Sequence, residues 1–217
     1  MMKDAPFTED ELKEGICEVM RRLFGRGLIS ALGGNVSARL PGAREFWVTP
    51  SRVFKAGLRP EDLVRLDLDG NVIRGTMRPS VESPLHAAIY RRRSDVSAVV
   101  HAHNPVATGL ALAGIRIRPF TIEAAAIALK EVPIVPFRFP GTSSLAEAVA
   151  ERISDANALV LQNHGVIGVG PSLLEAEAIV EVLEEVAIAQ FVALAFTREP
   201  HLIPEEDIEL ARRPYGR

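Results

Sequence analysis

The chain has 217 residues, 47% hydrophobic and 24% charged; this balance suits one globular domain spanning 1–217 and excludes a disordered chain. A net charge of −3, with Arg91-Arg92-Arg93 as its basic cluster, excludes a general nucleic-acid surface, and 6% aromatic residues argue against a base-stacking platform. No membrane span is expected, because the apolar stretch Ile179 to Phe196 is interrupted by Glu181, Glu184, Glu185 and Gln190.

Met1 to Asp10 lacks the apolar core of a secretion signal. The single cysteine, Cys17, excludes an internal disulfide and reads as a buried small hydrophobe in a cytoplasmic protein. Thr8 and Glu11 form a capping-box pattern, so a helix follows with Leu12, Ile16, Val19, Met20 and Leu23 on one face, ending near Gly25 and Gly27. Asn35 to Leu40 alternates as a strand and pairs with Phe46-Trp47-Val48 across Pro41-Gly42. Leu63 to Leu68 and Asn71 to Arg74 form a hairpin through Asp69-Gly70.

Glu82 to Arg93 reads as a helix, Ser97 to His103 as a segment opening on the buried strand Ala98-Val99-Val100, and Pro105 to Ala113 as a short helix closed by Gly114. Strands are expected at Ile134 to Phe137, Ala158 to Gln162 and Gly165 to Gly170, with a helix from Leu145 to Ile153 after Thr142-Ser143-Ser144. Pro171 is expected to open a long helix to about Phe196, whose apolar residues, Phe191 among them, occupy more than one face and fit burial in the core or in an oligomer interface, the core being favoured. A polar, Pro-punctuated tail begins at about Thr197. The fold class is α/β (α+β), a single domain with a mostly antiparallel sheet flanked by helices.

Histidine carries the chemistry. His101-Ala102-His103 follows a buried strand, where alternation places both imidazoles on one side. His164 follows a second buried strand. Two strand ends delivering three imidazoles match a catalytic metal site with an open position, although each histidine also has an ordinary core or surface reading. Glu82 at a helix start is either a capping acid or a general base and metal ligand. His86, one turn later, reads as its surface partner in preference to a second metal pair. Gly33-Gly34-Asn35 is a turn or an anion cradle, to which Thr49-Pro50-Ser51-Arg52 and Ser80 would add hydroxyls and a cation.

Six collinear segments together resemble the class II aldolase/adducin-head family: Gly33 to Ser37, Val48 to Ser51, Leu66 to Asn71, Pro79 to Glu82, Val99 to His103 and Leu161 to Gly165. The resemblance runs from about Leu12 to Phe196. It implies a homotetramer with sites at subunit interfaces and a divalent metal, Zn2+ before Mn2+ or Co2+, held by His101, His103, His164 and Glu82. It implies that Glu82 is also the acid/base, that Gly34, Asn35, Ser51 and Ser80 hold a substrate phosphate, and that Tyr215 serves catalysis, reaching a neighbouring subunit's site. The implied reaction is retro-aldol cleavage of a short keto-sugar phosphate. Decarboxylases, dehydratases and 4-epimerases of the family are the alternatives, and a non-catalytic adducin-like module is a further one. The family's type aldolase carries a hydroxyl residue where Leu32 stands, glycine at Arg52, a second serine at Val81 and a tyrosine near Phe120; Arg52 could then bind phosphate or carboxylate.

Overall fold

Eight strands form one sheet in a computed structural model that describes residues 8–127, 131–197 and 200–211. The strands are β1 Asn35–Ala38, β2 Glu45–Val48, β3 Val64–Asp67, β4 Val72–Arg74, β5 Ala98–Ala102, β6 Ile134–Val135, β7 Ala158–Leu161 and β8 Gly165–Gly170. Their order is β4-β3-β2-β1-β5-β8-β7-β6, and every pairing is antiparallel except β6 with β7. The helices are α1 Glu9–Gly25, α2 Ser83–Arg92, α3 Pro105–Leu112, α4 Ile122–Ala126, α5 Ser143–Arg152, α6 Leu173–Phe196 and α7 Glu205–Ala211.

The central strands of the sheet are covered on both faces, while the edge strand β4 is exposed. Val36, Ala38, Ala98, Val100 and Val166 pack with residues of α1, α3 and α6 on one side. Val99, Leu159, Ile167 and Val169 pack with α2 and α5 on the other. Double coverage explains why β1 is buried along its whole length rather than alternating between core and solvent. It also fixes which strand residues face the site: along β1 and β5, Asn35, Ser37, Val99 and His101 point to the α2 side.

The capping box at Thr8 is present in both directions, with Glu11 N donating to Thr8 Oγ1 at 3.2 Å and Thr8 N donating to Glu11 Oε2 at 2.8 Å. Several boundaries differ from the sequence reading. β1 runs only to Ala38, although Arg39 N still donates to Ser97 O at 2.8 Å; the Arg39 guanidinium binds the carbonyls of Val96, Ala43 and Arg93. β6 holds two residues rather than four. Pro171 lies outside α6, whose N-cap is Ser172, with its hydroxyl accepting from Glu175 N at 3.2 Å. Phe191 is 58% exposed in the chain, since α6 buries the face that carries Ile179, Val180, Leu183, Val186 and Ala187. Two short helices, α4 and α7, were not anticipated; α4 starts at Thr121, which accepts from Ala124 N, and α7 lies in the polar tail. No helix among the described residues is long and apolar enough to cross a membrane.

Candidate metal centre

The centre is assembled from four separate chain segments. His101 is in β5 and His103 lies just beyond its end. The chain after His103 is clamped to α6: Asn104 Nδ2 donates to Val180 O at 2.8 Å, and Glu184 accepts from Val106 N and Ala107 N at 2.9 and 3.1 Å. His164 is in the turn between β7 and β8, where Asn163 takes a left-handed φ of 62°, a conformation asparagine tolerates better than most residues. Gly165 follows because a Cβ there would stand 2.2 Å from Ala102 O. Glu82 is the residue immediately before α2 and its side chain makes no capping bond, so the capping-acid reading of Glu82 fails.

Donor atoms of His101, His103 and His164 lie within 4.8 Å of one another. His101 Nε2 is 3.2 Å from His103 Nε2 and 3.3 Å from Glu82 Oε2, and His164 Nε2 is 3.6 Å from Glu82 Oε1. A tetrahedron with bonds of about 2.0 Å has edges of about 3.3 Å, so these separations match ligands around one cation. His101 Nδ1 donates to Val166 O at 2.9 Å, which leaves Nε2 with a bare lone pair. Two buried atoms of the site, Glu82 Oε1 and His164 Nδ1, have no hydrogen-bond partner among the described residues. Three imidazoles and a carboxylate, with a carboxylate oxygen orphaned among them, fit a divalent cation of the zinc type.

Electrostatics favour the metal-binding protonation states. Burial, reinforced by His101 and His164, pushes His103 down to about 4. Burial and His101 also lower His164. Burial of Glu82 opposes ionisation, but the neighbouring His101 and His164 and the Asn35 amide outweigh it and hold the carboxyl below its ordinary value.

His86 corrects the sequence reading. It is fully buried rather than a surface partner of Glu82; its Nε2 is 2.5 Å from Asn35 Oδ1 and its Nδ1 is 2.7 Å from Ser37 Oγ. Burial pushes His86 down to about 3. In the metal-free protein, His86 and His103 bind fewer protons folded than unfolded between these depressed values and about 6.5. Stability is therefore present above about pH 6.5 and falls as pH drops towards 4, which urea midpoints across that range will show. A flat midpoint would mean that both imidazoles are protonated in the folded state.

The residues expected to hold an anion separate into two groups. Asn35 is buried and donates through Nδ2 to Glu82 Oε2 at 2.8 Å. Gly34 has φ 72°, and a Cβ would lie 2.5 Å from Ile29 Cγ2; a Cβ on Gly33 would lie 2.7 Å from His103 Nδ1, so this loop packs directly on the imidazole. Ser51 Oγ is occupied internally, donating to Pro79 O at 2.8 Å and accepting from Val81 N at 3.1 Å. Ser80 Oγ accepts from Glu82 N at 3.3 Å and keeps its own hydrogen available. Thus Ser51 and Ser80 tie the Pro50 and Pro79 segments together beneath Glu82.

Arg52 is exposed, makes no hydrogen bond or ion pair among the described residues, and has φ 57°. That left-handed backbone accounts physically for a glycine being suited to this position. Phe120 is half-buried ahead of α4 and takes no part in the cluster's hydrogen bonds. Tyr215 lies outside the described residues. Lys55, unremarked in the sequence, is buried, donates from Nζ to Pro50 O at 2.5 Å, and is lowered by burial to about 8 despite the opposing charge of Glu82. A lysine in Val53 to Gly57, beside exposed Phe54, carries no sequence signal of burial.

The sheet and the histidine cluster are those of a lyase of the class II aldolase family, and the chain belongs to the family described as class II aldolase and adducin N-terminal domain, whose model matches residues 14–191. Among its relatives, an L-fuculose phosphate aldolase of Methanocaldococcus jannaschii is 37% identical over 175 residues, covering 81% of this chain and 93% of that protein. A 3-oxo-tetronate 4-phosphate decarboxylase of Escherichia coli is 35% identical over 196 residues, covering 88% and 91%. A solved structure of L-fuculose 1-phosphate aldolase superposes with a TM-score of 0.87 at 30% identity, covering 97% of this chain and 98% of that one.

Proposed function

We propose that this enzyme is a divalent-metal-dependent aldolase, L-fuculose-phosphate-aldolase-like, that cleaves a short keto-sugar phosphate by retro-aldol chemistry. The observation that carries the reading is the convergence of three imidazoles on Glu82, with Oε1 of that carboxylate buried and unpartnered. His101, His103, His164 and Glu82 would hold the cation, Zn2+ or else Mn2+ or Co2+. The cation supplies a Lewis acid for the oxygens of the ketose.

Each residue then has a task. The substrate's C3–C4 bond breaks, its electron pair stays on the ketose fragment, and the C4 hydroxyl passes its proton to Glu82 as the aldehyde forms. Glu82 holds and returns a proton at the ketose-fragment carbon. Gly34 and Ser80 bind the substrate phosphate, with Arg52 as the external cation, and Asn35, whose amide already bonds Glu82 Oε2, shapes the cradle behind Gly34. Ser51 contributes by fixing the backbone of this cradle, since its hydroxyl is already paired on both sides. Tyr215 is assigned to proton transfer at a neighbouring subunit's site in a homotetramer. The remaining elements of the reading are one domain over 1–217 and a cytoplasmic location.

A second reading, a decarboxylase of a phosphorylated oxo-acid, is favoured by two observations: the guanidinium of Arg52, which has no partner among the described residues and suits a carboxylate, and the Escherichia coli relative. Metal-loaded protein offered ketose 1-phosphates and phosphorylated oxo-acids separates the two. Dihydroxyacetone phosphate plus an aldehyde, identified by mass spectrometry, is the expected product pair. Carbon dioxide without an aldehyde would transfer the assignment to the decarboxylase, and Arg52→Gly should then raise KM for the oxo-acid without straining the backbone.

A further inference from the structure

Behind Glu82, a file of four side chains is enclosed from water. Glu82, Asn35, Ser37, His86 and Tyr90 are all buried, and the links beyond Glu82 are Asn35 Nδ2 to Glu82 at 2.8 Å, His86 Nε2 to Asn35 Oδ1 at 2.5 Å, Ser37 Oγ to His86 Nδ1 at 2.7 Å and Tyr90 OH to Ser37 Oγ at 2.8 Å. Two periodicities build it. Asn35 and Ser37 share one face of β1, while Glu82, His86 and Tyr90 recur every four residues along the start and inner face of α2.

The donors and acceptors allow one direction for every link. A carboxylate only accepts, so Asn35 turns its NH2 towards Glu82 and its Oδ1 towards His86. Oδ1 also only accepts, so His86 carries its hydrogen on Nε2. The neutral ring then has a bare Nδ1, to which Ser37 donates. Ser37 Oγ accepts from Tyr90.

We propose that His86, fixed as its Nε2–H form by Ser37 and Tyr90, is a positioning residue that locks the Asn35 amide, pins Oε2 of Glu82, and leaves Oε1 as the oxygen that exchanges a proton with substrate. The proposal rests on the metal-lyase reading above. Without the His86 hydrogen, the Asn35 amide is free to turn its oxygen towards Glu82, setting two acceptors against each other. The carboxylate would then lose its fixed orientation while the three metal-site imidazoles stayed in place.

The test uses the full-length, metal-loaded protein and its His86→Leu and Tyr90→Phe variants. His86→Leu should lower kcat by about 10- to 100-fold, the usual effect of removing a partner behind a metal-site ligand, with metal content and KM unchanged. Tyr90→Phe should show the same kcat-only pattern at smaller amplitude, and it remains informative if His86→Leu does not fold. Nitrogen NMR of the metal-free wild-type protein should show His86 protonated at Nε2 and bare at Nδ1. The opposite ring form, an unchanged kcat in both variants, or a kcat loss accompanied by loss of metal would overturn the proposal. If the wild-type protein turns over neither phosphorylated ketoses nor phosphorylated oxo-acids, the lyase reading fails, whereas the NMR result alone decides the direction of the chain.

Discussion

Glu82→Gln should reduce turnover by about two or more orders of magnitude while leaving the fold intact, the size expected for removal of a general acid/base. The fold is spared because the Asn35 Nδ2 bond to Oε2 can be kept by the amide oxygen of glutamine. The backbone bond from Glu82 N to Ser80 Oγ is untouched. What disappears is the buried, unpartnered oxygen beside His164, the one atom of the carboxyl that is free to take a proton. Exchange of deuterium into the ketose fragment isolates this step from carbon–carbon cleavage, and the variant should lose the exchange in proportion to its turnover. A variant that retains exchange at the wild-type rate would place the proton on another group.

The parts of this molecule that the sequence made legible are those fixed by local physics. The capping box at Thr8, the hairpin through Asp69-Gly70 and the strand preceding His101 all follow from spacing over a few residues. The clustering of His101, His103 and His164 was legible because strand ends and, at His164, a following glycine mark them, and the glycine's necessity is visible in the 2.2 Å approach to Ala102 O. The side chains behind Glu82 were harder to read. Glu82 and His86 at i, i+4 resemble a solvated pair, and nothing local shows that the facing strand residues are Asn35 and Ser37 rather than water. That distinction depends on which strand α2 covers. A signal was present in hindsight, since a strand reading Asn-x-Ser places two hydrogen-bonding residues on one face where a doubly covered sheet needs apolar ones.

The hydroxyls of the expected anion cradle show the complementary limit. The sequence groups Ser51 and Ser80 as hydroxyls of one anion cradle, but residue type cannot tell a hydroxyl that meets a ligand from one that ties two loops. Ser51 bridges Pro79 O and Val81 N, so its neighbours have already claimed it. Likewise Arg52 looked like a substitution of chemistry alone, yet its φ of 57° makes it a backbone matter as well.

His103→Ala should remove metal from the protein and nearly abolish activity. Its Nε2 stands 3.2 Å from that of His101, and no further imidazole, thiol or carboxylate joins the cluster among the described residues to replace it. Loss of a residue that merely supports a ligand costs about 10- to 100-fold in affinity, so loss of the ligand itself should exceed a hundredfold. The damage should stay local. His103 is only partly buried, and the backbone there is held independently by its N–H to Leu28 O and by the clamps from Asn104 and Glu184 to neighbouring helices. Elemental analysis after dialysis against a weak chelator should find stoichiometric metal in the wild-type protein and almost none in the variant, with far-ultraviolet circular dichroism unchanged. Added imidazole should restore part of the metal binding, because the space left faces Gly33, whose missing side chain keeps that wall open. Stoichiometric metal retained by His103→Ala would remove His103 from the ligand set and shift the centre towards His101, His164 and Glu82.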